Sequence, residues 1–197
     1  MDYLLSKVLK TSRKLSKKLK LFHRSLLFIF FGLILLSFGG INYYRVRILS
    51  FKKAPAEAQS VQQGELPIQI TIPSIKIDIP IDSGTINNGV WQISYKNATF
   101  LANSARPGAG GNTVIYGHNK KAIFGSLPYL SIGQKVIVKT QDGKLYTYEV
   151  YKKDFVRPDR VDLVSPTNYE ELTLFTCWGL FDSQRVVVKA KPMYNDY

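Results

Sequence analysis

The chain reads as an all-β domain, a closed or nearly closed barrel with short helical connections, preceded by one N-terminal transmembrane helix. Three observations lead there. Isoleucines recur at every second position, at Ile68, Ile70 and Ile72 and then, past Pro73, at Ile75, Ile77, Ile79 and Ile81. A period of two in β-branched residues marks half-buried strands. Further strand-like runs follow at 112–117, 135–140, 145–151, 172–177 and 185–190, punctuated by turn chemistry. Many short strands between turns are the pattern of barrels, and of sandwiches as well. The third observation lies upstream, where twenty uncharged residues separate Arg24 from Arg45.

The uncharged run, 25–44, is long enough as a helix to span a hydrocarbon core of about 30 Å. Tyr43 and Tyr44 close it where amphipathic rings favour the headgroup boundary. A cleaved signal peptide has a shorter apolar core with a small-x-small site close behind it. Here the nearest such site, Ala56-Glu57-Ala58, lies beyond Arg45, Arg47, Lys52 and Lys53. Residues 1–24 hold eight of the 27 lysines and arginines against the single acid Asp2, so this tail carries +7 of the net +13. Basic tails suit nucleic acid too, but an apolar span directly after this one argues for a membrane and against nucleic acid. The positive-inside rule then places the N-terminus in the cytoplasm and the rest outside. The expected organisation is a basic cytoplasmic tail (1–24), a single-pass membrane helix (25–44), an extracytoplasmic linker (45–65) and a folded domain (66–197).

Within the folded domain, the linker's polar and small residues give way at Leu66 to the alternating isoleucines. Gln141-Asp142-Gly143-Lys144 supplies a turn between two strands, and the Gly, Pro and Asn of 105–112 supply a loop. Only 119–131 has room for a helical turn or two. Cys177, the sole cysteine, ends the run Leu172-Thr173-Leu174-Phe175-Thr176-Cys177. Because side chains alternate along a strand, Thr173, Phe175 and Cys177 share one face and Leu172, Leu174 and Thr176 the other. Arg185 likewise shares a face with Val187 and Lys189. If the leucines and Val186/Val188 point into the core, Cys177 and Arg185 both point outward, and a hairpin across 178–184 makes them neighbours. His118, one of two histidines, closes Thr113-Val114-Ile115-Tyr116-Gly117-His118 on the face of Val114 and Tyr116.

These three groups suit acyl transfer. A thiolate is the nucleophile and needs a cationic neighbour to ionise readily. An imidazole can protonate a departing amine and deprotonate an incoming one. A forked guanidinium can hold an oxyanion or a peptide carbonyl. A lone cysteine makes no intramolecular disulfide, so outside the cell it stays a free thiol. Taken singly, each has an ordinary reading: a small core hydrophobe, a loop histidine, a solvated edge charge.

Taken together and in this order, the motifs resemble the sortases, the membrane-tethered cysteine transpeptidases of bacterial surfaces. The resemblance covers about residues 66–191. It runs from Ile72-Pro73-Ser74-Ile75 through Pro107-Gly108, Gly111-Asn112-Thr113-Val114-Ile115-Tyr116-Gly117-His118, Phe124-Gly125, Leu127 and Gly133-Gln134-Lys135-Val136. It ends on Leu172–Cys177 and Arg185-Val186-Val187-Val188. It implies an eight-stranded barrel with Cys177 as nucleophile, His118 as acid/base and Arg185 as oxyanion or substrate-orienting group. Thr176, Tyr116 and Phe175 are the expected substrate-binding residues. The implied substrate is a surface protein with a C-terminal sorting signal of the Leu-Pro-x-Thr-Gly kind, passed to an amine on a cell-wall precursor or a pilin lysine. Trp178-Gly179-Leu180-Phe181 is bulkier than the stretch expected after the cysteine, and 158–171 is too short for the extra helix of one sortase class.

No cofactor is expected. Some sortases use calcium through loop carboxylates, and Asp154, Asp159, Asp162, Glu170 and Glu171 are the available acids, without evident ligand spacing. The alternatives are a thiol hydrolase that releases surface proteins and a non-catalytic membrane-anchored β-barrel that binds a partner.

Overall fold

A computed structural model describes residues 25–41 and 63–193. The chain divides into two compact units, Met1–Arg45 and Val46–Tyr197. In the first, residues 25–41 form a helix whose apolar side chains, among them Phe28, Leu33 and Leu36, are exposed. The expected membrane helix was 25–44, and 42–44 lie outside the described residues, as do the basic tail 1–24 and most of the linker. Among the described residues no helix is long and apolar enough to cross a membrane.

In the second unit eight strands close a barrel. These are β1 (Pro67–Ile72), β2 (Ile77–Gly84), β5 (Ala98–Leu101), β6 (Asn112–Tyr116), β7 (Lys135–Thr140), β8 (Leu145–Val156), β9 (Glu171–Trp178) and β10 (Gln184–Pro192). A separate hairpin pairs β3 (Ile86–Asn87) with β4 (Val90–Trp91). The barrel order is β1-β2-β5-β6-β9-β10-β8-β7, with β7 returning to β1. The expected closed barrel is therefore present, and the five runs read from 112 onward each fall on a strand.

Two expectations about the isoleucines shift. Pro73–Ile75 forms a 3-10 turn between β1 and β2. Ile68 is exposed, whereas Ile70 and Ile72 are fully buried. A bulge is the reason: Pro67 opposes Thr140 and Gln69 opposes Lys139, so Ile68 is the extra residue and leaves the inward face. At 141–144 the expected turn forms, closed by Thr140 N–H to Lys144 O at 3.0 Å, with Gly143 at φ +86°.

Two apolar clusters flank the barrel wall. Inside lie Ile70, Ile72, Phe100, Ile115, Leu172, Leu174, Val186 and Val188, among others. Segment 119–131, which holds a 3-10 turn at Leu127–Tyr129, packs Ile123, Phe124, Leu127 and Leu130 into the same core. Outside, Trp91, Leu101, Leu163 and Val164 cover Val114, Tyr116, Phe175, Cys177 and Val187. Consequently β9 is buried on both faces from Glu171 to Cys177.

Candidate active site

Strand direction assembles the site. β6 and β9 pair in parallel, with Tyr116 opposite Phe175, so both strands end at the same rim of the barrel. Beyond the ladder, Gly117 N–H donates to Phe175 O at 3.3 Å and Thr176 Oγ1 donates to Gly117 O at 2.8 Å. β6 ends at Tyr116, so His118 lies two residues beyond the ladder, at the rim to which β9 carries Cys177. β9 and β10 are antiparallel, and Cys177 lies opposite Arg185. The three residues singled out in the sequence thus meet at one rim. Val114 and Tyr116 belong to the outer cluster together with Cys177.

Gly117 is required there by close approach. A Cβ on it would come within 2.7 Å of Ile123 Cγ2, so the turn into His118 packs directly on the 119–131 segment. The backbone of His118 is held in turn, its carbonyl accepting from Lys120 N–H at 2.8 Å and Phe124 N–H at 3.2 Å. Its ring stacks on Tyr95, with centroids 5.7 Å apart and planes 22° off parallel.

The β9–β10 turn carries the strain in this region. Gly179, Phe181 and Asp182 have φ of +81°, +53° and +57°. For a phenylalanine this left-handed conformation costs of the order of 1 kcal/mol or more. The distortion has a visible result, since Asp182 O and Gln184 O accept from Arg185 Nη1 at 2.9 and 2.8 Å. Arg185 is thereby fixed in place while only 3% exposed. Burial lowers the proton affinity of its guanidinium, and the neighbouring Cys177 opposes that shift.

Cys177 faces outward from the barrel as expected, but it is not at the surface. It is 4% exposed, beneath the outer apolar cluster. Burial pushes its thiol from 9.0 up to about 12, Arg185 pulls the other way, and Asp182 adds to the rise. At neutral pH the resting thiol is protonated.

The three expected substrate-binding residues are fully buried, each with an intramolecular partner. Thr176 donates to Gly117 O. Tyr116 OH donates to Gln92 O at 2.5 Å, and burial raises its phenol above the usual range. Phe175 stacks on Tyr116 at 5.1 Å, and Trp91 packs edge-on against both rings. They form the floor on which Cys177 sits and present no surface to a ligand.

The five acids considered for calcium stand apart. Asp154, Asp159 and Asp162 pair with Lys152, Arg157 and Arg160. Glu170 accepts from Gly108 N–H and Tyr148 OH, and Glu171 pairs with Lys189. Among the described residues no group of three or more His, Cys, Asp or Glu side chains could hold a metal ion.

Sequence reasoning missed Trp91, Tyr95 and Asp182. For Trp91 a signal existed. Asn88-Gly89, with φ of +52° and +76°, is a two-residue hairpin turn that announces β3–β4 and places Trp91 on a strand. Asp182 acts through its backbone carbonyl on Arg185 and through its charge on Cys177, and no residue pattern reports the first.

Known proteins share this fold. The sortase domain family model matches residues 70–193. Sortase A of Streptococcus agalactiae is 29% identical over 129 residues, 62% of this chain and 51% of that protein. The putative sortase YwpE of Bacillus subtilis is 34% identical over 85 residues, 41% of this chain and 82% of that protein. The crystal structure of sortase C-1 from Actinomyces oris superposes with a TM-score of 0.55 at 25% identity, covering 64% of this chain and 73% of that one. The chain spans about half the length of the streptococcal relative. With the family model over most of the chain and the same barrel in the solved structure, the chain belongs to the sortase family.

Proposed function

We propose that the chain is a cysteine transpeptidase that cleaves a C-terminal sorting signal of the Leu-Pro-x-Thr-Gly type and transfers the surface protein to an amine. The observation that carries the reading is the meeting of Cys177 and Arg185 across one antiparallel ladder, with His118 at the end of the adjoining parallel strand. His118 takes the Cys177 proton as sulfur attacks the carbonyl carbon of the scissile amide. Arg185, already pinned by two carbonyls, faces the oxyanion that forms. The C–N bond breaks, His118 returns its proton to the departing amine, and a thioester on Cys177 remains. An incoming amine attacks that thioester and gives a proton to His118, and the new amide leaves as the thiol is restored. The acceptor class is an amine on a cell-wall precursor or a pilin lysine.

Mass spectrometry of the chain incubated with a sorting-signal peptide and a candidate amine tests this. The expected products are a Cys177 adduct, cleavage after the threonine and a peptide–amine conjugate. Cleavage without conjugate at saturating amine would make it a thiol hydrolase. No adduct and no cleavage would leave a binding module.

We place the catalytic domain outside the cell on a single-pass anchor at 25–44. Twenty uncharged residues, a basic segment before them and the exposed apolar side chains of 25–41 support this. Protease added to intact cells should digest the C-terminal domain, and its protection until lysis would reverse the topology.

A further inference from the structure

Tyr95 is 78% exposed, yet it sits on a turn that is held in place. Ser94 N–H donates to Thr99 Oγ1 at 2.9 Å, and Asn97 N–H donates to Ser94 Oγ at 3.1 Å. Asn97 Nδ2 reaches both carboxylate oxygens of Asp82 at 3.2 and 3.1 Å. The ring is thus carried into solvent on a fixed turn. One face of that ring lies against the imidazole of His118. Lys120, which holds the His118 carbonyl through its own N–H, sets its ammonium 5.8 Å from the same tyrosine ring.

From this geometry we infer that Tyr95 is a positioning residue for His118, fixing the plane of the imidazole through both half-reactions. The inference rests on the acid/base role proposed for His118. Two proton transfers, to the departing amine and from the arriving one, need the ring in one orientation twice. A stacked aromatic restrains the ring by its face. An aromatic face also favours the imidazolium that exists between the two transfers.

The test compares Tyr95→Leu and Tyr95→Phe in the full chain. Tyr95→Leu should lower kcat for thioester formation and for aminolysis alike by about tenfold or more, with KM unchanged, as misplacement of a catalytic group does. Tyr95→Phe, which keeps the ring, should stay within about twofold of wild type. Because the side chain is exposed, the melting temperature should not move in either. Independently of turnover, the His118 ring-proton resonances, assigned with His118→Ala, should lose their ring-current displacement in Tyr95→Leu and keep it in Tyr95→Phe. A Tyr95→Leu enzyme with wild-type kcat, or one that changes only KM, overturns the positioning role. So does a His118 resonance that ignores the substitution. A wild-type chain that transfers no peptide sinks the transpeptidase reading instead, and the resonances still decide whether Tyr95 restrains the ring.

Discussion

The two ends of the β9–β10 ladder each bury a cation on the outer face of the barrel, and they treat it oppositely. At one end Lys189 Nζ meets Glu171 Oε1 at 2.5 Å, and Tyr151 OH donates to the other carboxylate oxygen. Burial and the Glu171 carboxylate both raise the Tyr151 phenol, so that network is closed and its charges balanced. At the other end the residue across the ladder from Arg185 is a cysteine, and the nearby Asp182 carboxylate acts on the guanidinium from the turn. Arg185 faces a neutral thiol and is held by two backbone carbonyls. A buried cation answered by a carboxylate is spent on structure. One hydrogen-bonded by carbonyls, with its nearest carboxylate out on the turn, can still turn its field on charge that arrives later, on a thiolate or an oxyanion.

The contrast can be broken at either end. The largest effect belongs to Cys177→Ala, which should abolish adduct formation while costing only about 1 kcal/mol of stability, since one sulfur atom is removed. In the wild type, alkylation of Cys177 by iodoacetamide should keep accelerating beyond pH 9, because burial holds the thiol near 12. A rate that levels off near pH 9 would mean that Cys177 titrates like an ordinary thiol. Next, Arg185→Ala should lower kcat/KM by at least about 10²-fold, or roughly 3 kcal/mol of transition-state stabilisation, with Arg185→Lys restoring only part. Near-wild-type rates in both, with folding checked by circular dichroism, would make the two ends equivalent. The smallest effect on chemistry is expected from Glu171→Gln. It should destabilise the fold by ~3 kcal/mol, about 10 °C in Tm, by stranding Lys189, while activity per folded molecule stays within about twofold. Glu171→Met combined with Lys189→Met should recover most of that stability. A double variant as unstable as Glu171→Gln would place the cost in packing rather than charge.

How much of this was legible in the sequence depended on how far each strand obeyed a simple period. β7, β9 and β10 were readable because their runs are long and bounded by turn residues. β5 was not: Ala98–Leu101 is four residues long and buried on both faces, so no alternation marks it. The pairing of Cys177 with Arg185 followed from alternation and a short connection, both local. Burial of that face did not, because its cover comes from Trp91 and from Leu163 and Val164, remote in sequence. The Glu171–Lys189 pair was hidden as well, for Glu171 was weighed only among the acids available for calcium and Lys189 only as sharing the face of Arg185. Ile68 misled for the opposite reason, since a perfect period continued through a bulge.

The parallel pairing of β6 with β9 also bears on when reactivity appears during folding. His118 and Cys177 are separated by the whole of β7 and β8, so their meeting closes a loop of nearly sixty residues. Such a closure costs on the order of 3–4 kcal/mol of chain entropy before any contact repays it. Topologies with this much long-range pairing fold in milliseconds to seconds rather than microseconds. An unfinished chain therefore carries a solitary, unpartnered thiol, and acylation competence on refolding should trail the β signal, arriving only with the last ladder.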